Sequence, residues 1–364
     1  MPEYHTILDA RPWTLPLRAP FKIAKRTAHE AQNVLVTFTN GDGLVGYGAA
    51  APAAYVTGET IESVLDLVNG QALALANLDP SRIGPLLDLC AEAFADAPSA
   101  RAAVEMAALD LWAKHHKSNL WHHFGARRTS IATDLTIPIV EPAEATRLVQ
   151  AAVKDGFEHF KIKVGGPEGH DADIARIRAI VNAAPDAGIR VDANQGFDAE
   201  GAIRLAKELV EVAPNIELLE QPVSEEDTAA LKYVRDHVSI PIFADEAAQT
   251  PASVRRLIKE EAVDGINIKL MKSGIGGALE IIAICHAAGV KLMLGCMLES
   301  RLSLTAALFI AAGTGAISYI DLDSHYLICP DPKRSGGFDE RGPEMIVNTN
   351  GHGWGVTGLA DCAN

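Results

Sequence analysis

The segment IRVDAN (residues 189–194) and the segment AEGAIRLAKELVEV (residues 199–212) that follows it form the unit from which the fold is built. The first segment is a short apolar run that ends in polar residues, a pattern typical of a buried parallel strand. The second repeats apolar residues at i, i+3, i+4 and i+7, which predicts a helix with one apolar face. Together they predict one strand followed by one helix packed on the sheet.

Seven other apolar runs have the same form, and helix-like stretches such as AEATRLVQAAVKDG (143–156) separate them. Successive polar anchors on five of the eight runs (residues 163, 192, 220, 245 and 269) lie 29, 28, 25 and 24 residues apart. This regular alternation predicts a (β/α)8 barrel. An open doubly wound sheet is the rival, but it would need a glycine-rich turn after its first strand, which the sequence lacks. The seven runs are TDLTIPI (133–139), HFKIKV (159–164), IELLEQP (216–222), IPIFADE (240–246), GINIKL (265–270), KLMLGCM (291–297) and ISYIDLD (317–323).

The residues before and after the barrel have a different pattern. Within residues 1–128, the motif NGDG (40–43) joins two alternating runs, which predicts a hairpin in a small antiparallel sheet, and helical stretches follow. We therefore predict an α+β capping domain (1–128), a barrel (129–325) and a loop-rich C-terminal segment (326–364) that packs back on the cap. The fold class is α/β, a modified TIM barrel with a capping domain.

Composition narrows the class of function. A formal net charge of −15 over 364 residues disfavours nucleic-acid binding, which needs a basic face. The sequence shows neither an apolar run of about 20 residues nor the basic, apolar start of a signal peptide. Five scattered cysteines are typical of free thiols in a reducing compartment. We expect a cytoplasmic protein that handles a small molecule and has no nucleic-acid or membrane partner.

Three acidic residues end three neighbouring strands. Asp192, Glu220 and Asp245 close the third, fourth and fifth runs, and barrel chemistry lies at this end of the strands. Any single acid there is also explained by a helix cap or a surface charge, but a converging set would repel strongly without a cation. Oxygen ligands favour Mg²⁺, with Mn²⁺ as the alternative. The sequence therefore predicts a metal site.

Lysines occupy the second and sixth strands, which face each other across an eight-stranded ring. In HFKIKV, Lys161 and Lys163 alternate with apolar residues, so both point to one side, and Lys269 follows GINI. A surface hairpin with a solvated lysine face would show the same alternation. In a barrel, however, Lys163 and Lys269 would flank the α-carbon of a substrate whose carboxylate lies on the metal.

This arrangement suits proton transfer at the α-carbon. The metal would stabilise the enediolate, one lysine would remove the α-proton, and the other would return a proton to the opposite face. Free lysine has a pKa of about 10.4, so a lysine base needs a lowered pKa. A neighbouring cation such as Lys161, or the metal itself, would lower it by favouring the neutral amine. We interpret Lys163 and Lys269 as the two bases and Lys161 as a contact to the substrate carboxylate.

These motifs resemble those of the enolase superfamily, muconate-lactonizing-enzyme subgroup. The resemblance covers nearly the whole chain and is carried by the motifs K-x-K (161–163), D-A-N (192–194), E-Q-P (220–222), A-D-E (244–246) and N-I-K-L-M-K (267–272). Within the subgroup, the chain is most similar to the dipeptide epimerases, and D-L-D (321–323) carries that likeness. The resemblance implies an isomerase that inverts the α-carbon of the C-terminal residue of a dipeptide. We also expect a homo-oligomer.

The resemblance assigns four contacts to the substrate. Asp321 and Asp323 would bind its free α-ammonium, which agrees with a position across the barrel from the fourth strand. Thr136 would contact the substrate, and Arg26, in the position where glutamate-specific members carry an arginine, would meet a side-chain carboxylate. Leu298 would present apolar surface from the seventh strand. Arg26 as a plain surface charge and Leu298 as barrel packing stay open.

Other functions on the same scaffold also stay open. N-acylamino-acid racemase and o-succinylbenzoate synthase would use the same lysines and acids, but neither needs two acids on the eighth strand. Cycloisomerisation of muconate is disfavoured because those acids would repel an anion, and acid-sugar dehydration would want a histidine near GCMLES (295–300). A non-enzymatic peptide-binding barrel would have no reason to keep all the lysines and acids.

Overall fold

A computed structural model describes residues 6–24, 26–75, 79, 81–330 and 335–359 of the chain. The N-terminal part contains an antiparallel sheet of β1 (Ile7–Ile23), β2 (Arg26–Thr39) and β3 (Val45–Ala50), in that order. The predicted hairpin joins β2 to β3: the Asn40 side-chain oxygen accepts hydrogen bonds from the backbone of Asp42 and Leu44, at 3.1 and 2.9 Å. Helices follow, namely α1 (Ala54–Thr57), α2 (Ile61–Gly70), α3 (Ala72–Leu75), α4 (Ile83–Ala93), α5 (Pro98–His115) and α6 (Leu120–His123).

All eight predicted strands form one parallel sheet, which confirms the predicted fold class. The sheet runs in chain order from β5 to β12, and the backbone N–H of Asp134 donates to Ile320 O at 3.2 Å where the two end strands meet. The strands are β5 (Leu135–Ile137), β6 (His159–Lys163), β7 (Gly188–Asp192), β8 (Ile216–Glu220), β9 (Ile242–Ala244), β10 (Gly265–Ile268), β11 (Lys291–Gly295) and β12 (Tyr319–Asp321). A short strand β4 (Ser130–Ala132) precedes them and pairs elsewhere, with the C-terminal segment.

The helices between the strands form the outer ring of the barrel. Their first turns use the expected caps: the Asp198 side chain accepts from Gly201 N, and Thr250 and Ser253 form a reciprocal capping box. The ring consists of α7 (Pro142–Lys154), α8 (His170–Ala183), α9 (Ala199–Val212), α10 (Thr228–His237), α11 (Pro251–Lys259), α12 (Leu270–Ala288) and α13 (Arg301–Thr314), and α14 (Ser324–Leu327) follows β12.

Helix α12 is the one helix among the described residues that is long and apolar enough to cross a membrane. It is also broken at Gly274, where φ is +68°. Glu105 of α5 caps the second half, accepting hydrogen bonds from the backbone of Ile275 and Gly276. Because 61% of its apolar window is buried inside the protein, its hydropathy reflects core packing between the barrel and the cap.

Alternation along the strands decides what the barrel encloses. Phe160 and Ile162 point outward into the helix layer and are fully buried. Lys161 and Lys163 point inward, where the register sets Lys161 beside Arg190 and Lys163 beside Asp192. The predicted common side of the two lysines is therefore the barrel interior, and the surface-hairpin interpretation of this segment is wrong.

The C-terminal segment returns to the N-terminal part. Its strands are β13 (Ser335–Gly336), β14 (Phe338–Arg341), β15 (Glu344–Val347) and β16 (Val356–Thr357), and β15 pairs with β4. Trp354 donates its ring N–H to Met106 O in α5 at 3.0 Å, and its backbone N–H to Asp110 at 2.9 Å. The boundaries at residues 128 and 325 stay predictions. Cys90, Cys285, Cys296 and Cys329 are free, and Cys362 lies outside the described residues.

Candidate active site

One cavity at the carboxyl ends of the strands collects most of the predicted site residues. Asp192 and Glu220 do not line it, but they contact the ammonium of Lys161, which does, at 3.1 and 2.8 Å. The predicted residues that line it are Arg26, Thr136, Lys161, Lys163, Asp245, Lys269, Leu298, Asp321 and Asp323. The structure thus brings every predicted residue to one place, although they lie as far apart in sequence as Arg26 and Asp323.

The three strand-end carboxylates converge in the interior. Asp192, Glu220 and Asp245 are at most 2% exposed, and one oxygen from each lies within 4.8 Å of the others. Burial raises the pKa of Asp192, but Lys163 and Lys161 together lower it by more, so that the net pKa is about 2. Burial and the neighbouring Asp192 raise the pKa of Glu220 to about 8. The surrounding charges therefore shift the pKa values of the two acids in opposite directions.

This donor set fits a hard divalent cation. Oε2 of Glu220 accepts no hydrogen bond from the described residues, although the Lys161 ammonium is 2.8 Å away. Oδ1 of Asn194 and Oε2 of Glu246, both deeply buried, also lack a hydrogen-bond partner in the described part of the chain. Buried oxygens that accept no hydrogen bond are suitable ligands for Mg²⁺, which prefers carboxylate and amide oxygens. Asp192, Glu220 and Asp245 are the residues that would hold the ion.

The two candidate bases approach the carboxylates from opposite sides of the ring. Lys163 Nζ lies 2.5 Å from Asp192 Oδ2, and Lys269 Nζ lies 2.7 Å from Asp245 Oδ2. Their strands, β6 and β10, are four apart among eight. Burial lowers the pKa of Lys269, but Asp245, Glu220 and Asp192 together raise it by more, so the net pKa is above that of free lysine. A cation on Asp245 would weaken that effect and favour the neutral amine.

Asp321 ends β12 and Asp323 follows it, on the side of the barrel opposite the triad. Asp321 Oδ2 is 2.7 Å from Lys161 Nζ, and Asp323 Oδ2 accepts the backbone N–H of Thr136 at 2.6 Å. Asp323 forms no ion pair within the described residues, and Cys296 Sγ lies 4.0 Å from its other oxygen. Burial and the charge of Asp321 raise the pKa of Asp323 to about 6. The pair is therefore short of positive charge on its cavity side.

The outer wall of the cavity comes from the cap and from the residues after β11. The guanidinium of Arg26 lies over the Tyr55 ring, 4.7 Å from its centroid, and both residues line the cavity. Leu298 and Met297 line it from the other side. Asn33, fully buried in β2, donates to Leu298 O at 2.9 Å and accepts from Ser300 N at 3.0 Å. The cap therefore positions the segment that carries Leu298.

Sequence reasoning missed several residues that hold the triad in place. Lys272 contacts Asp245 Oδ1 at 2.6 Å, and Asn267 donates to Glu220 Oε1 at 2.8 Å. Gln221 accepts from the backbone of Asp245 at 3.0 Å. Asn267 and Lys269 alternate on β10, so the inward-facing set of that strand could have indicated Asn267. No comparable period points to Lys272, which lies in the first turn of α12.

The fold and the site define a class: a capped (β/α)8 barrel with three converging carboxylates flanked by opposed lysines. The enolase C-terminal domain-like model matches residues 144–361, and the mandelate racemase / muconate lactonizing enzyme N-terminal domain model matches residues 6–125. The chain belongs to the enolase superfamily, in its muconate-lactonizing-enzyme subgroup.

Particular relatives are similar over nearly their whole length. L-Ala-D/L-Glu epimerase of Thermotoga maritima is 37% identical over 90% of this chain and 94% of its own. The substrate-liganded L-Ala-D/L-Glu epimerase of Bacillus subtilis superposes with a TM-score of 0.91 at 34% identity, covering 96% of this chain and 97% of that one. The dipeptide epimerase of Enterococcus faecalis, solved with Mg and L-Leu-L-Tyr, gives a TM-score of 0.91 at 34% identity and covers 98% and 99% of the two chains.

Proposed function

We propose that the protein is a Mg²⁺-dependent dipeptide epimerase, an isomerase that inverts the α-carbon of the C-terminal residue by two-base 1,1-proton transfer. Lys163 and Lys269 are the two bases in this proposal. The named dipeptide epimerases among its relatives support the class of reaction. Mn²⁺ is the alternative ion.

One observation carries the proposal: the opposed lysines, a second pair of acids and Asp245 of the carboxylate triad border the same cavity. Lys163 and Lys269 each contact a different carboxylate of the triad, and Asp321 and Asp323 lie on the wall formed by the eighth strand. A racemase of acylated amino acids needs the lysines and the triad but has no use for two buried acids. A substrate with a carboxylate at one end and an ammonium at the other accounts for all of them.

The chain's residues divide the reaction among them. Lys161 would bind the substrate carboxylate, while Asp321 and Asp323 would accept hydrogen bonds from the α-ammonium. The α-carbon then lies between Lys163 and Lys269, so that one removes the proton and the other delivers a proton to the opposite face. A Mg²⁺ ion held by the triad would neutralise the charge that develops on the substrate carboxylate.

The outer wall supports a preference for an acidic side chain. Arg26 is an exposed cation that lines the cavity against Tyr55, and Leu298 adds apolar surface beside it. Thr136 lies at the inner end, next to Asp323. We propose Arg26 as the contact to a side-chain carboxylate, and Thr136 and Leu298 as further contacts to the substrate. A cytoplasmic homo-oligomer with no nucleic-acid or membrane partner completes the proposal.

The direct test is α-proton exchange. The purified protein with Mg²⁺ is incubated in D₂O with L-Ala-L-Glu, L-Ala-L-Leu and N-acetyl-L-Ala-L-Glu, and mass shift and epimer ratio are followed. We expect deuterium incorporation and a second epimer for the free dipeptides, and little for the acetylated compound, which lacks the ammonium. Efficient turnover of the acetylated compound would instead favour N-acylamino-acid racemisation, and no exchange in any compound would contradict an epimerase.

A further inference from the structure

A third carboxylate, Asp134, lies below the acid pair inside the barrel. It precedes β5, and because side chains alternate along a strand, Asp134 and Thr136 point to the same side. One oxygen of Asp134 lies within 4.8 Å of oxygens of Asp321 and Asp323. Asp134 is 1% exposed and does not line the cavity. It is therefore a buried neighbour of the acid pair, out of direct reach of a substrate.

Asp134 is held rigidly from below. The guanidinium of Arg190 on β7 lies 2.7 Å from Asp134 Oδ2 and donates to Ile320 O at 2.8 Å. The same guanidinium pairs with Glu217 at 2.7 Å and lies over the Tyr319 ring, 5.1 Å from its centroid. These contacts span β7, β8 and β12, so Asp134 is fixed across the barrel interior.

The charges of this cluster do not balance. Asp321 is paired with Lys161 and Asp134 with Arg190, whereas Asp323 has hydrogen bonds but no ion pair among the described residues. In addition, Asp134 Oδ1 accepts no hydrogen bond from the part of the chain that the structure describes. Burial and the charge of Asp321 raise the pKa of Asp134, whereas the Arg190 guanidinium opposes this shift and favours the charged carboxylate.

We propose that Asp134 is a specificity-determining residue that acts through Asp321 and Asp323, so that the site selects a protonated α-amino group over a neutral group of the same size. Asp134 adds a fixed negative charge beneath the acid pair, and a substrate ammonium supplies the positive charge that the cluster lacks. The inference rests on the proposed dipeptide epimerase function. Asp134 therefore affects the selectivity between an amine and a hydroxyl substrate and takes no part in the proton transfer.

The test compares two substrates in each enzyme. L-Ala-L-Glu is matched with its hydroxyl analogue, L-lactoyl-L-Glu, and kcat/KM is measured for both with wild type, Asp134→Asn and Glu217→Gln. Glu217→Gln is the matched control because it also removes one acid from Arg190, but at Nε, and Glu217 does not belong to the cluster of Asp134, Asp321 and Asp323. Because both substrates are measured on one preparation, a reduced fraction of folded enzyme cancels from the ratio.

We expect Asp134→Asn to lower the amine-to-hydroxyl ratio by about tenfold or more, mainly through KM of the dipeptide, as a lost charge at this range in a buried site implies. Glu217→Gln should keep the wild-type ratio to within about threefold, the scale of a change remote from the acid pair. A ratio unchanged in Asp134→Asn, or lowered equally in Glu217→Gln, would overturn the inference while leaving the epimerase function intact.

Two further outcomes are separable. If Asp134→Asn turns over neither substrate, the same ratio is taken from equilibrium dissociation constants of the two compounds in the presence of Mg²⁺, and an undiminished preference for the amine overturns the inference. If the wild type itself turns over neither compound, the proposed function is the part that fails.

Discussion

The replacement of His325 by glutamine tests how a buried histidine in the short helix after the acid pair makes stability depend on pH. His325 lies in α14, two residues after Asp323, and its ring packs against the rings of Tyr326 and Phe338 at centroid distances of 3.9 and 5.3 Å. Neither ring nitrogen has a hydrogen-bond partner among the described residues, and the nearest carboxylate, on Glu340, is 4.0 Å away. Protonation of this ring would therefore place a poorly paired charge in the interior.

This environment determines the size and sign of the change in folding stability with pH. Burial lowers the pKa of His325 from 6.5 to about 4. The folded state therefore binds a proton less readily than the unfolded state, so stability falls as pH drops through the interval from about 6.5 to about 4. At about 1.4 kcal/mol per pKa unit, the full loss is about 3.5 kcal/mol. Above pH 6.5 both states are neutral at this position, and the residue adds no pH dependence.

The assay is urea unfolding with EDTA present, between pH 7.5 and 4.5, on wild type, His325→Gln and the control His352→Gln, whose side chain is exposed. The difference in unfolding free energy between wild type and His325→Gln should change by about 2 to 3 kcal/mol across this range, with wild type losing more at low pH. His352→Gln should follow wild type throughout. A difference independent of pH would refute the reasoning, because it would show that the His325 ring accepts a proton in the folded protein without penalty.

Five other substitutions test the proposed chemistry. Lys163→Ala and Lys269→Ala should each reduce epimerisation by about 10³-fold or more, while each retains α-proton exchange with one epimer only; NMR of the two epimers in D₂O measures this, and near-normal epimerisation by either variant would contradict the two-base assignment. Asp245→Asn should weaken Mg²⁺ binding in calorimetry and abolish activity, and EDTA should inactivate wild type until Mg²⁺ is restored. Asp323→Asn should raise KM for L-Ala-L-Glu about tenfold, with little change for the acetylated compound; an equal effect on both would argue against an ammonium contact. Arg26→Ala should raise KM for L-Ala-L-Glu a few-fold but not for L-Ala-L-Leu, and parallel changes would assign Arg26 a general structural role.

The order of elements was readable from the chain because each barrel unit is nearly local. A buried strand such as residues 188–192 and a one-sided helix such as residues 199–212 carry their own periods, and a parallel strand always needs a crossover to the next. The observed strands are shorter than the predicted runs, since polar residues such as Asp245 follow the last paired residue and belong to the loops. The spacing also did not predict β4, because this strand pairs with β15, which is distant in sequence.

The positions of the acid triad and of the lysines could be predicted for a related reason. In a barrel the carboxyl ends of all strands meet, so Asp192, Glu220 and Asp245 could be placed together from their strand numbers. The inward side of β6 followed from a period of two, which put Lys161 and Lys163 in the interior. For these residues, identity and position along a regular element were enough.

What only the tertiary structure decided are the contacts made across the barrel and between the cap and the barrel. The Arg190 side chain spans the interior to Asp134, Asn33 of the cap holds the segment bearing Leu298, and Lys272 reaches back to Asp245. Such contacts depend on strand stagger, on rotamers and on the angle at which a separate sheet docks, and none of these has a period in sequence. The sequence by itself therefore determined the barrel, the acid triad and the lysines, since these repeat with the strand–helix unit. The packed interior determined which of the charges are paired with one another among the described residues.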